Sequence, residues 1–115
     1  MIESWSGYFK ATDEEGNPLD LGSPALNAYA NAHAFVQRLQ AEFVRYPRTL
    51  FGFFIGNKDP FPDFVADSRL LSRELTAAGV PHLFRLYQGG HDSVFWSQHQ
   101  DEWLTAAVKR LDPAA

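Results

Sequence analysis

A histidine preceded by two glycines, Gly89-Gly90-His91, and an aspartate ending the turn-rich run Gly56-Asn57-Lys58-Asp59 are the residues of this 115-residue chain best suited to acid–base chemistry. Paired glycines let the backbone turn sharply and approach a neighbouring loop with no Cβ in the way. A carboxylate beside an imidazole accepts the Nδ1 proton, which fixes the tautomer and leaves Nε2 as a base. The same carboxylate stabilises the imidazolium formed when Nε2 takes a proton. Asp59 and His91 are therefore the candidate acid and base of a nucleophilic triad. Asp63 is placed to cap the following helix and is the fallback acid. Each has a plainer reading too, since aspartate before Pro60 is a common turn residue and a lone histidine in a glycine loop is commonly a surface one.

The two loops can meet only if strands deliver them to one edge of a sheet. Thr49 to Ile55 is an unbroken apolar run, the pattern of a strand covered on both faces. His82 to Tyr87 is a further strand, and Ile2 to Phe9 reads as a strand running into a loop, ended by Gly7. Between them, Ser23-Pro24 is a helix start, with serine as cap and proline in the first turn. Leu26, Tyr29, His33, Val36, Leu39 and Phe43 then follow at spacings of 3, 4, 3, 3 and 4, up to Pro47. The small residues from Ala25 to Ala34 leave open a start nearer Asn31. Phe64, Asp67, Leu71, Leu75 and Ala78 define a second helix, with Gly79 as its C′ residue and Val80-Pro81 as an extended exit. Ser93 to Leu111 is the last helix, carrying Phe95, Trp96, Trp103 and Ala107 and stopped by Asp112-Pro113. Residues 10–23 form a polar loop, expected to be mobile. Strands alternating with helices predict an α/β fold of three layers, with about three parallel strands and three helices in one unit over residues 1–115. In such sheets chemistry collects at the carboxyl ends of the strands, where Asp59 and His91 fall.

Composition narrows the classes. Ten basic against fourteen acidic residues give a net charge of −4, which argues against a nucleic-acid binder. Hydrophobic residues make up 45% and charged ones 21%, the balance of a globular domain. No apolar run is long enough to span a bilayer, and Met1 to Trp5 has no leader character. The absence of cysteine removes disulfides and thiolate chemistry, and suits the cytoplasm or an exported protein equally. Gly-x-Ser-x-Gly and phosphate-binding loops are missing, and Ser4 to Tyr8 makes a poor one, which disfavours a flavodoxin-like domain. His33, His82, His91 and His99 lack metal-ligand spacing. His33 and His99 read as helix residues, His82 as structural, Trp96 and Trp103 as core, and Asp13-Glu14-Glu15 as a solvated run.

Together, Gly56-Asn57-Lys58-Asp59, Ala78-Gly79-Val80-Pro81 and Phe84 to Asp92 with Trp96 downstream resemble the C-terminal half of an α/β-hydrolase esterase family. That family includes the enterochelin-esterase-like, S-formylglutathione-hydrolase-like and mycolyltransferase-like enzymes. Glu3 to Phe9 resembles the family's strand after the nucleophile helix, so the likeness covers nearly the whole chain. It implies serine-dependent ester or acyl-transfer chemistry on a small-molecule ester, with His91 as base, Asp59 as acid and no cofactor. The chain order of acid before histidine agrees with it. The nucleophile elbow has no counterpart, so the expectation is a C-terminal fragment, inactive alone. The rival is a non-catalytic relic serving as a binding or assembly module; an in-frame Gly-x-Ser-x-Gly upstream would separate the two. The Ile2–Gly7 strand is expected to expose an unpaired edge, and the chain to be a homo-oligomer through it.

Overall fold

Phe51 to Gly56 contains no polar side chain, and a strand of that kind is stable only between two neighbours and two covering layers. The computed structural model, which describes residues 1–10, 13, 15, 17–61 and 63–111 (for Tyr29 the backbone only), puts it there. It is β2 (Phe51–Gly56), the central strand of a parallel sheet ordered β1-β2-β3, with β1 at Ile2–Trp5 and β3 at His82–Tyr87. Ile2 pairs with Phe51 and Phe51 with His82, so all three strands start level; β2 and β3 end level at Gly56 and Tyr87, while β1 stops at Trp5, opposite Phe54.

Alternation along β2 splits the core in two. Phe53 points to one face, where it packs with Val36, Leu71, Leu75, Ala78 and Val80; Phe54 points to the other, against Phe95 and Trp103. The first layer is built by α2 (Val36–Arg45) and α3 (Phe64–Ala77), the second by α4 (Ser93–Leu111). The chain is thus α/β with helices on both faces of the sheet. On the α4 side the packing is largely aromatic: Trp103 stacks on Phe54 at 5.1 Å and meets Trp5 at 5.0 Å. Its indole N–H donates to the Tyr87 hydroxyl at 3.0 Å, so the one polar atom of a buried ring is satisfied.

β3, α3 and α4 have the bounds their patterns predict. Gly79, at φ +73°, ends α3 as expected, with Val80 N–H bonded to Leu75 O and Gly79 N–H to Thr76 O, a Schellman motif. Two readings need correction. The helix expected from Ser23, or from nearer Asn31, to Pro47 is three pieces, α1 (Pro24–Tyr29), a 3-10 turn at Ala32–Phe35, and α2, so the continuous helical stretch begins after Asn31, the later of the two starts. Asn31 breaks it: its backbone bridges to Lys10, Ala32 N–H donates to Phe9 O at 2.7 Å, and its side chain caps His33 N–H. Asp63 stands at the N-cap position of α3 but makes no side-chain capping bond, because its backbone is left-handed at φ +64°.

In the 10–23 segment, Asp13 Oδ1 accepts the N–H groups of Glu15 and Asn17, each at 2.9 Å. The expectation of mobility there falls partly on residues 11, 12, 14 and 16, and the expected stop at Asp112-Pro113 falls on 112–115; both sets lie outside the described residues. No helix among the described residues is long and apolar enough to cross a membrane.

Candidate active site

Because β2 and β3 end level, the loops that follow them leave the sheet side by side. Asn57 N–H donates to Tyr87 O at 2.7 Å, Lys58 N–H to Gly89 O at 2.8 Å, and Gly89 N–H to Asn57 Oδ1 at 3.3 Å. Gly56 permits this approach: a Cβ there would lie 2.2 Å from Gly89 O and 2.6 Å from its carbonyl carbon. Gly89 is confined as well, since a Cβ on it would meet the Phe95 ring at 2.3 Å. Asp92 then caps α4, its Oδ1 accepting Phe95 N–H at 2.9 Å. Of the two glycines expected to allow a close turn, Gly89 is confined and Gly90 is not, a Cβ on Gly90 meeting nothing nearer than Asp92 Oδ2 at 3.5 Å; the glycine that lets the loops approach is Gly56.

The result is a short, oriented pair. His91 Nδ1 donates to Asp59 Oδ2 at 2.7 Å, while Asp59 Oδ1 accepts Phe61 N–H at 3.1 Å. The Asp59 side chain is wholly enclosed and that of His91 is 23% exposed, so the carboxylate is shielded while the imidazole reaches solvent. With Nδ1 donating to a carboxylate, the neutral ring holds its proton on Nδ1 and its lone pair on Nε2. Among the described residues no hydrogen-bonding partner occupies Nε2. Three aromatic rings meet the imidazole edge-on: Phe61 at 4.7 Å, Trp96 at 5.2 Å and Phe64 at 6.0 Å. They limit both the rotation of the ring and the access of water to the hydrogen-bonded pair. A poised base beside an enclosed carboxylate can take a proton from a hydroxyl or a water and hold the resulting positive charge.

The other predicted residues fall elsewhere. Asp63, the fallback acid, is exposed, and the carboxylate bonded to His91 is that of Asp59. His82 bonds Ser72 Oγ and Val80 O, and His99 stacks on Trp103, so both are structural. His33 lies between two carboxylates of α3, with Nε2 at 2.6 Å from Asp67 Oδ1 and Nδ1 on Glu74 Oε1; Lys10 approaches Asp67 at 3.8 Å. This ties the 3-10 turn to α3 and accounts for an aspartate in the core. Among the described residues no cluster of three or more His, Asp or Glu has the arrangement of a metal site.

Trp96 packs against the Phe54, Phe95 and Trp103 cluster, as expected of a core residue, but it does more than that. Trp103 is core at 1% exposure, but Trp96 is only partly buried and walls His91 while donating Nε1–H to Ser6 Oγ at 3.0 Å. Ser6, Phe61 and Phe64 were not among the predicted site residues. The aromatic pair flanking Pro62-Asp63 was the available signal for two of them; nothing in the sequence singles out Ser6 over Ser4. Comparison with known protein families, with curated proteins and with solved structures gave no match.

Proposed function

We propose that this chain supplies the general base and its orienting acid to a serine-dependent ester or acyl hydrolase acting on a small-molecule ester. His91 Nε2 takes the proton of an attacking serine hydroxyl and returns it to the leaving alcohol, while Asp59 holds the ring and its positive charge. The serine and the oxyanion-binding N–H groups belong to residues outside these 115, in the manner of a C-terminal segment of an α/β-hydrolase. One observation carries the reading: the enclosed Asp59 bonded at 2.7 Å to His91, from loops at the carboxyl ends of adjacent parallel strands, with Nε2 left open. Hydrolysis of p-nitrophenyl acetate tests it. The 115-residue chain alone is expected to turn over no faster than free imidazole. A polypeptide that includes an upstream in-frame Gly-x-Ser-x-Gly is expected to be active and to lose about 10²–10⁴-fold in kcat with His91→Ala. Lack of that motif upstream overturns the reading in favour of a non-catalytic relic. Turnover by the chain alone that disappears with His91→Ala places a nucleophile within it instead, with Ser4, Ser6 and Ser93 the candidates.

The partner reading is proposed in the same terms: the chain self-associates through β1. The outer edge of that strand has no strand beside it among the described residues, and Ile2 at its start is 52% exposed. A row of free N–H and C=O groups beside an exposed apolar side chain is a template for a second copy.

A further inference from the structure

We propose that Ser6 is a positioning residue for His91, acting through the indole of Trp96; the proposal rests on the reading of His91 as a base. Ser6 follows β1 directly, and its N–H extends the ladder by one bond, to Phe54 O at 2.7 Å. It is 6% exposed and sits at φ +57°, a left-handed conformation that is costly for any residue with a Cβ. Glycine would meet that backbone requirement without strain, so what serine adds here is its hydroxyl. The hydroxyl oxygen receives the Trp96 N–H at 3.0 Å, and the same indole stands edge-on to His91 at 5.2 Å. Phe61 and Phe64 contact His91 from the loop after β2 and from α3, so Trp96 is the only one of the three rings that α4 contributes.

The physical consequence is a brace from the end of β1 to the ring of the base. Asp59 fixes one nitrogen of His91, but a single hydrogen bond leaves the imidazole free to rock about it. A wall that cannot swing removes that freedom, and an indole with its N–H anchored on a rigid strand end is such a wall. Without Ser6 Oγ, the Trp96 N–H must seek water, and the indole can leave His91 to do so. In this arrangement Ser6 Oγ serves as an acceptor and is not bonded to the base. Its oxygen is engaged by Trp96, and among the described residues no hydroxyl is bonded to His91 Nε2.

Proton NMR of the chain reads this directly from the His91 Nδ1–H resonance and its exchange with water. Ser6→Gly removes the hydroxyl and relieves the backbone, so the fold is retained. Exchange of the His91 proton is expected to quicken about fivefold, the factor one ordinary hydrogen bond is worth, while amide exchange in β2 is unchanged. In a Trp96→Phe background, where the N–H is already gone, Ser6→Gly is expected to add nothing. Unchanged His91 exchange in Ser6→Gly overturns the proposal, as does an equal effect in the Trp96→Phe background or a matching rise throughout β2. Asp59→Asn tests the underlying reading separately. It is expected to abolish the hydrogen-bonded Nδ1–H resonance; if it does not, the acid–base pair itself fails, whatever Ser6 does.

Discussion

Two aspartates four positions apart in one loop have opposite relations to the fold. Asp59 is enclosed and accepts two hydrogen bonds, from His91 Nδ1 and Phe61 N–H; Asp63 is exposed, makes no capping bond and holds a left-handed backbone. Removing the Asp59 carboxylate takes the acceptor from two donors, one of them the partly buried His91 Nδ1–H, so Asp59→Ala is expected to cost about 1–3 kcal/mol in urea unfolding. Asp63→Gly instead relieves a strained φ and is expected to be neutral or to stabilise by up to about 1 kcal/mol. Equal losses for both would mean that the loop matters only as a loop. A third carboxylate answers to pH. Glu3, on β1, has an oxygen that is buried with no hydrogen-bond partner among the described residues, and burial raises its pKa above the ordinary 4.5. A folded-state pKa above the unfolded one means that the native chain binds more protons in that window. Stability therefore falls as pH rises through it, from the unfolded value to the raised one. Glu3→Gln is expected to be more stable than the parent at neutral pH, with the difference vanishing below about pH 4, where the parent carboxyl is protonated in both states. Urea midpoints at the two pH values check this, and a variant no more stable at neutral pH would contradict it.

At the scale of elements, what the sequence made legible was whatever a local pattern decides. The apolar run of β2, the Gly79 stop of α3, and the glycines before His91 each answer to a constraint within a few residues. The break at Asn31 does so only in part: a start there stayed open in the sequence, but distant contacts decide it. A stretch containing Ala25, Ala28, Ala30, Ala32 and Ala34 has high intrinsic helix propensity, and only the bridge to Lys10 and the bond to Phe9 O withdraw Asn31 and Ala32 from it. The same holds for the site: Asp59 and His91 were legible because residue type and strand end announce them, whereas Ser6 matters through a contact 90 residues along the chain. Gly56 and Gly79 show how differently two glycines at element ends are constrained. Around Gly79 nothing lies within 4 Å of a Cβ, so Gly79→Ala pays only for its φ of +73°, about 1 kcal/mol. At Gly56 the Cβ would strike the backbone of Gly89 and Gly90, which cannot rotate away. Gly56→Ala is expected to cost about 1–3 kcal/mol by overpacking, and also to force the two site loops apart. The His91 Nδ1–H resonance should be lost in Gly56→Ala and kept in Gly79→Ala, a contrast that stability alone would not give.

For the whole molecule, the question is where a second copy would attach. Among the described residues both outer strands of the sheet have open edges, but they differ in chemistry. Each carries a charged residue, but Arg85 on β3 is exposed, 4.0 Å from Glu102 of α4, whereas Glu3 on β1 is partly buried, and it is an exposed charge on an edge strand that opposes pairing. On β1, Ile2 is exposed, and it also lines an apolar cavity of about 250 Å³ at the amino ends of the strands, with Leu39, Phe43, Tyr46 and Phe51. Strand pairing at β1 would therefore cover apolar surface at the same time, at roughly 25 cal/mol for each Å² removed from water. A competing face exists on α4, where Leu104, Val108 and Leu111 are exposed at spacings of four and three. That face has no free backbone groups, since a helix satisfies its own, so it offers burial alone. The β1 edge is accordingly the expected contact. Sedimentation equilibrium at micromolar concentration is expected to give a mass of at least twice 13.0 kDa. Ile2→Lys should return it to the monomer, by placing a charge both on the edge and at the cavity mouth. Val108→Lys should leave the assembly intact. If Val108→Lys dissociates it and Ile2→Lys does not, association runs through α4. If the unsubstituted chain sediments as a monomer with a cooperative melt, β1 carries its open edge unaided.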